Sequence, residues 1–188
     1  MRLFLAIELT DEVRQRLITI QNVMREIAAA SWTRPENLHL TLKFLGETRD
    51  TAVAPLCAAM QEIRIDDAPT LTFDHAVFFP RGGDIGIIGA GASAPPAALG
   101  SLVEQIERAC RRQGFPRESR RYVPHITIAR ARRPLRWGLC AVLAEATAPW
   151  WPCPPLPLRQ FVLMESRLKG TGPEYSVLAR FDLEKPEP

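Results

Sequence analysis

The sequence predicts two similar α+β lobes that set equivalent strands opposite each other. Three observations carry this expectation. Segments of strand and helix period follow one another as β-α-β-α-β-β and then as α-β-α-β-β, so the order nearly repeats. The phrase histidine–x–threonine–x occurs in NLHLTLKFLGE and again in YVPHITIAR, with His39 and His125 86 residues apart in a chain of 188. Composition is ordinary for a globular protein, 46% hydrophobic and 24% charged, and the length suits a single bilobal domain over residues 1–188 with a sizeable core.

Residues 2–9, RLFLAIEL, form a short apolar run and read as a buried strand. Thr10 is placed to cap a following helix, with Asp11 and Glu12 in its first turn near the positive end of the dipole. That helix is expected to reach about residue 30, with Leu17, Ile20, Val23, Met24 and Ile27 on one stripe. SWTRPEN reads as a loop and residues 38–45 as a strand. Asp50 starts a second helix to about residue 64, with Pro55 an awkward early member. Residues 70–79 and 85–89 read as a hairpin around PRGGD. A third helix spans 94–113, with Pro95 and Pro96 in its first turn, where proline is tolerated. Residues 124–130 form a strand, 136–146 a weaker helix, and WWPCPPLP a stiff linker. Strands at 159–168 and 175–183, joined by KGTGPE, close the chain, and the tail EKPEP is expected to fray.

Several function classes find no support. There is no glycine signature for dinucleotide or phosphate-loop binding. Cys57, Cys110, Cys140 and Cys153 form no C-x-x-C pair, which argues against a zinc knuckle and a disulfide framework and for reduced thiols. The apolar start is too short for a signal peptide, and no stretch is long enough for a membrane helix. A cytoplasmic protein is expected. Oligomeric state leaves no signature, and a monomer is the expectation. Net charge is only +3, but Arg108, Arg111, Arg112, Arg117, Arg120, Arg121, Arg130, Arg132, Arg133 and Arg136 crowd one stretch in which Glu118 is the only acid. Such a stretch attracts polyanions, or it is a solvated arginine-rich surface.

The two motifs carry the chemistry. Side chains alternate along a strand, so His39 and Thr41 share one face while Leu40 and Leu42 take the other. His125 and Thr127 pair in the same way against Ile126 and Ile128. Each strand thus offers an imidazole and a hydroxyl roughly 7 Å apart. Two such strands across a groove make a pocket with two imidazoles, two hydroxyls and no carboxylate from either motif. Imidazole titrates near neutrality, so one ring can take a proton while the other gives one. The hydroxyls can donate to non-bridging phosphate oxygens, which a carboxylate would repel. In-line displacement at phosphorus fits this set, and a strained ribose 2′,3′-cyclic phosphate fits it well. Two histidines alone make a poor zinc site. His75, in LTFDHAVFF, lacks a partner threonine and reads as an ordinary strand histidine.

These residues carry a closer likeness. Through HLTL and HITI the chain resembles the 2H phosphoesterase superfamily, and within it the RNA 2′,3′-cyclic phosphodiesterases, also called 2′-5′ RNA ligases. RLFLAIEL is similar to the family's opening strand and LMESRLKGTGPEYSVLARFDL to its closing hairpin, so the likeness runs along nearly the whole chain. The resemblance implies an α+β fold of two similar lobes, each an antiparallel sheet with helices packed outside, and an active-site cleft between them. It implies hydrolysis of RNA 2′,3′-cyclic phosphate ends to 2′-phosphomonoesters with no metal or other cofactor, His39 acting as general acid and His125 as general base. Thr41 and Thr127 would hold the phosphate, and Arg130 completes the longer motif H-x-T-x-x-R.

Strand phase objects to Arg130, because an offset of five from His125 turns it away from the pocket unless the strand ends or bulges there. The same phase puts Lys43 on the His39 face, as a rim lysine or a source of positive charge, and Phe44 in the core rather than under a base. Ser166 and Arg167 match the closing hairpin without an evident role. ATP-independent 2′-5′ ligation of RNA ends and a non-catalytic RNA-end or nucleotide-binding module are the alternative functions.

Overall fold

The computed structural model describes residues 1–65, 69–81, 84–170 and 172–184, with backbone alone at 81, 84, 132 and 134. In chain order the elements are β1 (Arg2–Glu8), α1 (Asp11–Arg25), β2 (Ala30–Trp32), β3 (His39–Glu47), α2 (Val53–Gln61), β4 (Thr70–Leu71), β5 (His75–Arg81) and β6 (Asp84–Gly91). They continue as α3 (Ala97–Arg112), β7 (His125–Leu135), α4 (Trp137–Thr147), β8 (Leu156–Pro157), β9 (Gln160–Lys169) and β10 (Gly172–Asp182).

The main sheet runs β10-β9-β1-β3-β7-β6-β5, with β2 added to β7, and its strand pairs are antiparallel. It divides into two lobes at β3 and β7, which meet through the single pair Leu40↔Ile126. The lobes are not the two halves of the sequence. The C-terminal hairpin β9–β10 joins β1 and β3, while β2 leaves the first half to pair with β7. The apolar run of β1 explains the first exchange. Leu3 to Ile7 are all buried, so β1 needs a strand on each edge and cover on both faces, and β9 supplies the second edge.

One face of the sheet carries the helices. Leu5, Ile7, Leu40, Leu42, Ile126 and Ile128 share a single core with the helix stripes, including Val13, Leu17, Ile20 and Met24 of α1. Thr10 caps α1 as expected, its Oγ1 accepting from Val13 N–H at 3.4 Å. The helix stops at Arg25 rather than residue 30, because Ala30–Trp32 pair with β7 instead. The opposite face holds a smaller cluster of Phe4, Ala6, Val162 and Met164 beside Tyr175 and Val177, and it bears both motifs.

The hairpin expected around PRGGD exists as β5–β6, but its tip at 82–83 lies outside the described residues, as do Thr171 of KGTGPE and the tail 185–188. Within WWPCPPLP, Leu156–Pro157 pair with β4 in a separate two-stranded sheet. Cys110, Cys140 and Cys153 are buried and all four cysteines are free thiols. Among the described residues no helix is long and apolar enough to cross a membrane.

Candidate active site

Both motif histidines open their strands and are fixed in the same way. Asn37 C=O accepts from His39 Nδ1 at 2.7 Å, and Val123 C=O accepts from His125 Nδ1 at 2.8 Å. A carbonyl cannot donate, so each neutral ring carries its proton on Nδ1 and leaves Nε2 to exchange one. The Thr41 hydroxyl stands 3.0 Å from His39 Nε2 and donates to it. Antiparallel pairing about Leu40↔Ile126 sets His39 across from Thr127 and Thr41 across from His125. The four motif side chains therefore gather on the helix-free face where the lobes join.

Arg130 joins them, and the register shows how. On β7, Thr127 pairs with Gly89 and Ala129 with Ile88, so Ile128 is an extra, bulged residue. The bulge reverses the alternation. Ile128 and Ala129 are both buried, and Arg130 emerges on the His125 face close enough for its charge to act on both imidazoles. Gln21 Nε2 and the Thr33 N–H both donate to the Ile128 carbonyl, each at 2.9 Å, so both lone pairs of the bulged carbonyl are used.

β3 carries the same device. Thr41 pairs with Ala6 and Lys43 with Leu5, which leaves Leu42 bulged at the equivalent point. Here the strand-phase expectations fail. Lys43 does not lie on the His39 face; it turns into the other side, with only 3% of its side chain exposed. There it forms an ion pair with Glu107 of α3 at 2.8 Å and donates to Pro116 C=O at 2.9 Å. Phe44 is not in the core; it emerges on the cleft side, 63% exposed. The Tyr122 hydroxyl donates to Thr41 C=O at 3.0 Å beside this bulge.

Electrostatics follow from burial. Desolvation lowers His39 from 6.5 to about 4; the Asn37 carbonyl opposes the shift, while the Arg130 and His125 charges add to it. His125 is lowered in the same way, by desolvation first, with Arg130 adding and the Val123 carbonyl opposing. Both rings are held neutral in a positively charged setting that an entering anion would relieve. Among the described residues no three His, Cys, Asp or Glu side chains converge into a group that could hold a metal ion.

Sequence reasoning missed the walls of the site. His39 lies against Phe4, with ring centroids 4.9 Å apart, and edge-on to Tyr175 at 5.3 Å. His125 lies 4.5 Å from Phe79, whose ring reaches across β6. Gly89 of β6 passes close to the strand that carries His125. A Cβ at Gly89 would fall 3.0 Å from the Ile126 carbonyl and 3.6 Å from the His125 ring. Alternating glycines in IGIIGAG were the available signal, since glycine inside a strand marks a close approach.

The remaining candidates lie elsewhere. His75 opens β5, two strands from His125, and its Nδ1 is 2.5 Å from Asp74. Arg167 pairs with Glu165 at 2.9 Å, and Ser166 pairs along its backbone with Arg2 and Tyr175. Arg108, Arg111, Arg117, Arg120 and Arg121 line a groove of about 800 Å³ together with Glu104, Glu107 and Glu118. Leu42 also lines that groove, which sets it behind β3, on the side away from His39.

A family model described as LigT-like phosphoesterase matches the chain over residues 7–88 and 91–175, each stretch holding one motif. Curated proteins named RNA 2′,3′-cyclic phosphodiesterase are similar to it. The one from Thermus thermophilus is 31% identical over 191 residues, 97% of this chain and 90% of that protein. The one from Geobacillus stearothermophilus is 29% identical over 96% of this chain; the chain spans only 56% of that relative's length. Among solved structures, one from Thermus thermophilus superposes with a TM-score of 0.79 at 28% identity and covers the whole of both chains. Escherichia coli LigT complexed with 3′-AMP gives a TM-score of 0.79 at 26% identity over 98% of each chain.

Proposed function

This chain belongs to the LigT-like phosphoesterase family, and on that premise we propose that it hydrolyses RNA 2′,3′-cyclic phosphate ends to 2′-phosphomonoesters. The observation that carries the reading is the matched pair of imidazoles. Each is held by Nδ1 to a carbonyl two residues upstream, and each Nε2 is left for proton transfer at the junction of β3 and β7. The relatives' shared name supports the substrate class.

In this mechanism the cyclic phosphate sits between the two rings. His125 Nε2 takes a proton from water as its oxygen attacks phosphorus. The bond from phosphorus to O3′ breaks in line, and His39 gives that oxygen a proton, leaving the phosphate on O2′. Thr41, Thr127 and Arg130 donate to the non-bridging oxygens. His39 is neutral in the empty cleft, so its proton arrives with the substrate, whose negative charge offsets the burial and the Arg130 cation. Once charged, a buried imidazolium is a strong donor, which suits an alkoxide leaving group. Ligation of a 2′,3′-cyclic phosphate would be the same displacement with a 5′-hydroxyl in place of water: the new bond joins that oxygen to phosphorus, the bond to O3′ breaks, and a 2′-5′ diester is left.

The test is a short oligonucleotide ending in 2′,3′-cyclic phosphate, incubated with and without excess chelator. A 2′-phosphomonoester by phosphorus NMR, formed equally in both, is expected. A 3′-phosphate product, or turnover that chelator abolishes and metal restores, would sink the mechanism. Salt-sensitive binding without turnover would leave an RNA-end-binding module instead.

A further inference from the structure

We infer that the arginine-lined groove behind β3 binds backbone phosphates of the RNA strand that leads to the cyclic-phosphate end; this deepens the phosphodiesterase reading and rests on it. The groove, of about 800 Å³, lies between α3 and the segment 116–124. Arg108 and Arg111 come from the helix, and Arg117, Arg120 and Arg121 from the segment. A concave surface that presents one sign of charge concentrates polyanions.

Acids line the groove as well, but each is already engaged. Lys43 holds Glu107 at 2.8 Å, Glu118 accepts from the Arg120 N–H at 3.2 Å, and Arg108 faces Glu104 at 3.9 Å. Arg111, Arg117, Arg120 and Arg121 are exposed, and among the described residues none of them is in an ion pair. These guanidiniums are left for a ligand.

The arginines sit on a braced segment rather than a free loop. Residues 116–124 form neither helix nor strand. Lys43 nevertheless donates to Pro116 C=O at 2.9 Å at one end, and Tyr122 donates to Thr41 C=O at 3.0 Å at the other. Both anchors belong to β3, on either side of the bulged Leu42. The bulge that turns Lys43 away from the cleft therefore also fixes the segment. Guanidiniums presented from a fixed backbone lose less freedom on binding.

Position ties the groove to the chemistry. Tyr122, which bonds the Thr41 carbonyl, and Pro124, which precedes His125, both line it. A strand whose last phosphate lies between the imidazoles has its earlier phosphates at hand for the arginines. Phosphate contacts carry no base information, which suits an enzyme that recognises an end rather than a sequence.

The experiment compares kcat/KM for adenosine 2′,3′-cyclic phosphate with that for a single strand of about ten nucleotides ending in 2′,3′-cyclic phosphate, at about 50 and about 200 mM salt. It uses the wild type and one variant carrying Arg111→Gln, Arg117→Gln and Arg121→Gln together. The wild type should prefer the longer substrate, and that advantage should fall about tenfold or more between the two salts, as release of counterions from about three phosphates requires. The variant should lose the advantage and its salt dependence, with the mononucleotide rate within about twofold. A melting temperature for each protein separates these results from a folding defect. Equal use of both substrates by the wild type overturns the proposal, as does an advantage that the variant retains. Polyglutamate of equal length that inhibits as well as RNA ending in a 3′-hydroxyl would assign the groove to an acidic protein instead. If the wild type hydrolyses neither substrate, the phosphodiesterase reading falls. Fluorescence anisotropy with the same RNA then still decides the groove, the variant being expected to bind it about tenfold or more weakly at the lower salt.

Discussion

Gln21 of α1 donates to the carbonyl of Ile128, the bulged residue of β7, at 2.9 Å, and is itself only 1% exposed. A helix side chain thus holds the backbone irregularity that turns Arg130 into the cleft. Replacing Gln21 by Leu leaves Thr33 C=O without the same donor and removes one of two bonds to Ile128. A loss of about 1–3 kcal/mol is expected in urea unfolding. A drop in kcat/KM at temperatures where the variant is fully folded is expected as well. Unaltered kcat/KM would mean that the bulge holds without Gln21.

The depressed pKa of His39 has a consequence for stability. An unfolded imidazole titrates near 6.5 and the folded one at about 4, so between these values the unfolded chain binds the extra proton. Stability is complete above 6.5 and is lost as pH falls toward 4, by about 3 kcal/mol over the whole window. His125 adds in the same direction. Urea midpoints at about pH 7.5 and about pH 4.5, on either side of most of that window, measure the loss, and His39→Gln should flatten it. A variant that falls as steeply as the wild type would contradict the assignment.

Replacement of either motif histidine by Ala should cut kcat by about 10²–10⁴-fold with the fold retained, the range for removal of one acid or base. The wild-type kcat should be bell-shaped in pH. The acid limb is lost in His125→Ala and the basic limb in His39→Ala. The opposite pattern would exchange the two roles.

The charge of Arg130 lowers both imidazoles. Arg130→Met should therefore raise both histidine pKa values in an NMR titration and reduce kcat/KM about a hundredfold, the cost of one oxyanion donor. Lysine should restore the titration better than the rate, because it lacks the planar fork. Titrations that do not move would place the guanidinium outside the cleft.

Lys43 should matter for stability and not directly for chemistry. Lys43→Ala leaves Glu107, whose side chain is 17% exposed, without its 2.8 Å partner. A loss of about 3–5 kcal/mol is expected, with much of it recovered when Glu107→Gln is added to Lys43→Met. Activity of the folded fraction should stay near wild type. A large fall in kcat with unchanged stability would return Lys43 to the cleft.

Local pattern in the sequence carries one part of this structure. Alternation in HLTL and HITI put histidine and threonine on one face and the aliphatic residues on the other, and the repeat announced two lobes. The Thr10 cap and the α1 stripe could be read directly, because they are contacts between near neighbours. Position five of each motif could not be read in this way. Strand phase buried Phe44, exposed Lys43 and turned Arg130 aside, and a bulge at Leu42 and at Ile128 reversed all three. Those bulges are bonded by residues remote in sequence, Gln21 and Thr33 for one and Tyr122 for its neighbour in the other. The exchange of β2 and of β9–β10 between lobes is also non-local, set by the two open edges of an apolar β1 and by where β7 had room for a partner. Periodicity reports the face a side chain takes along a regular strand. Only the folded chain supplies the distant donors that let a strand depart from regularity, and in this protein that departure decides which charge and which ring face the cleft.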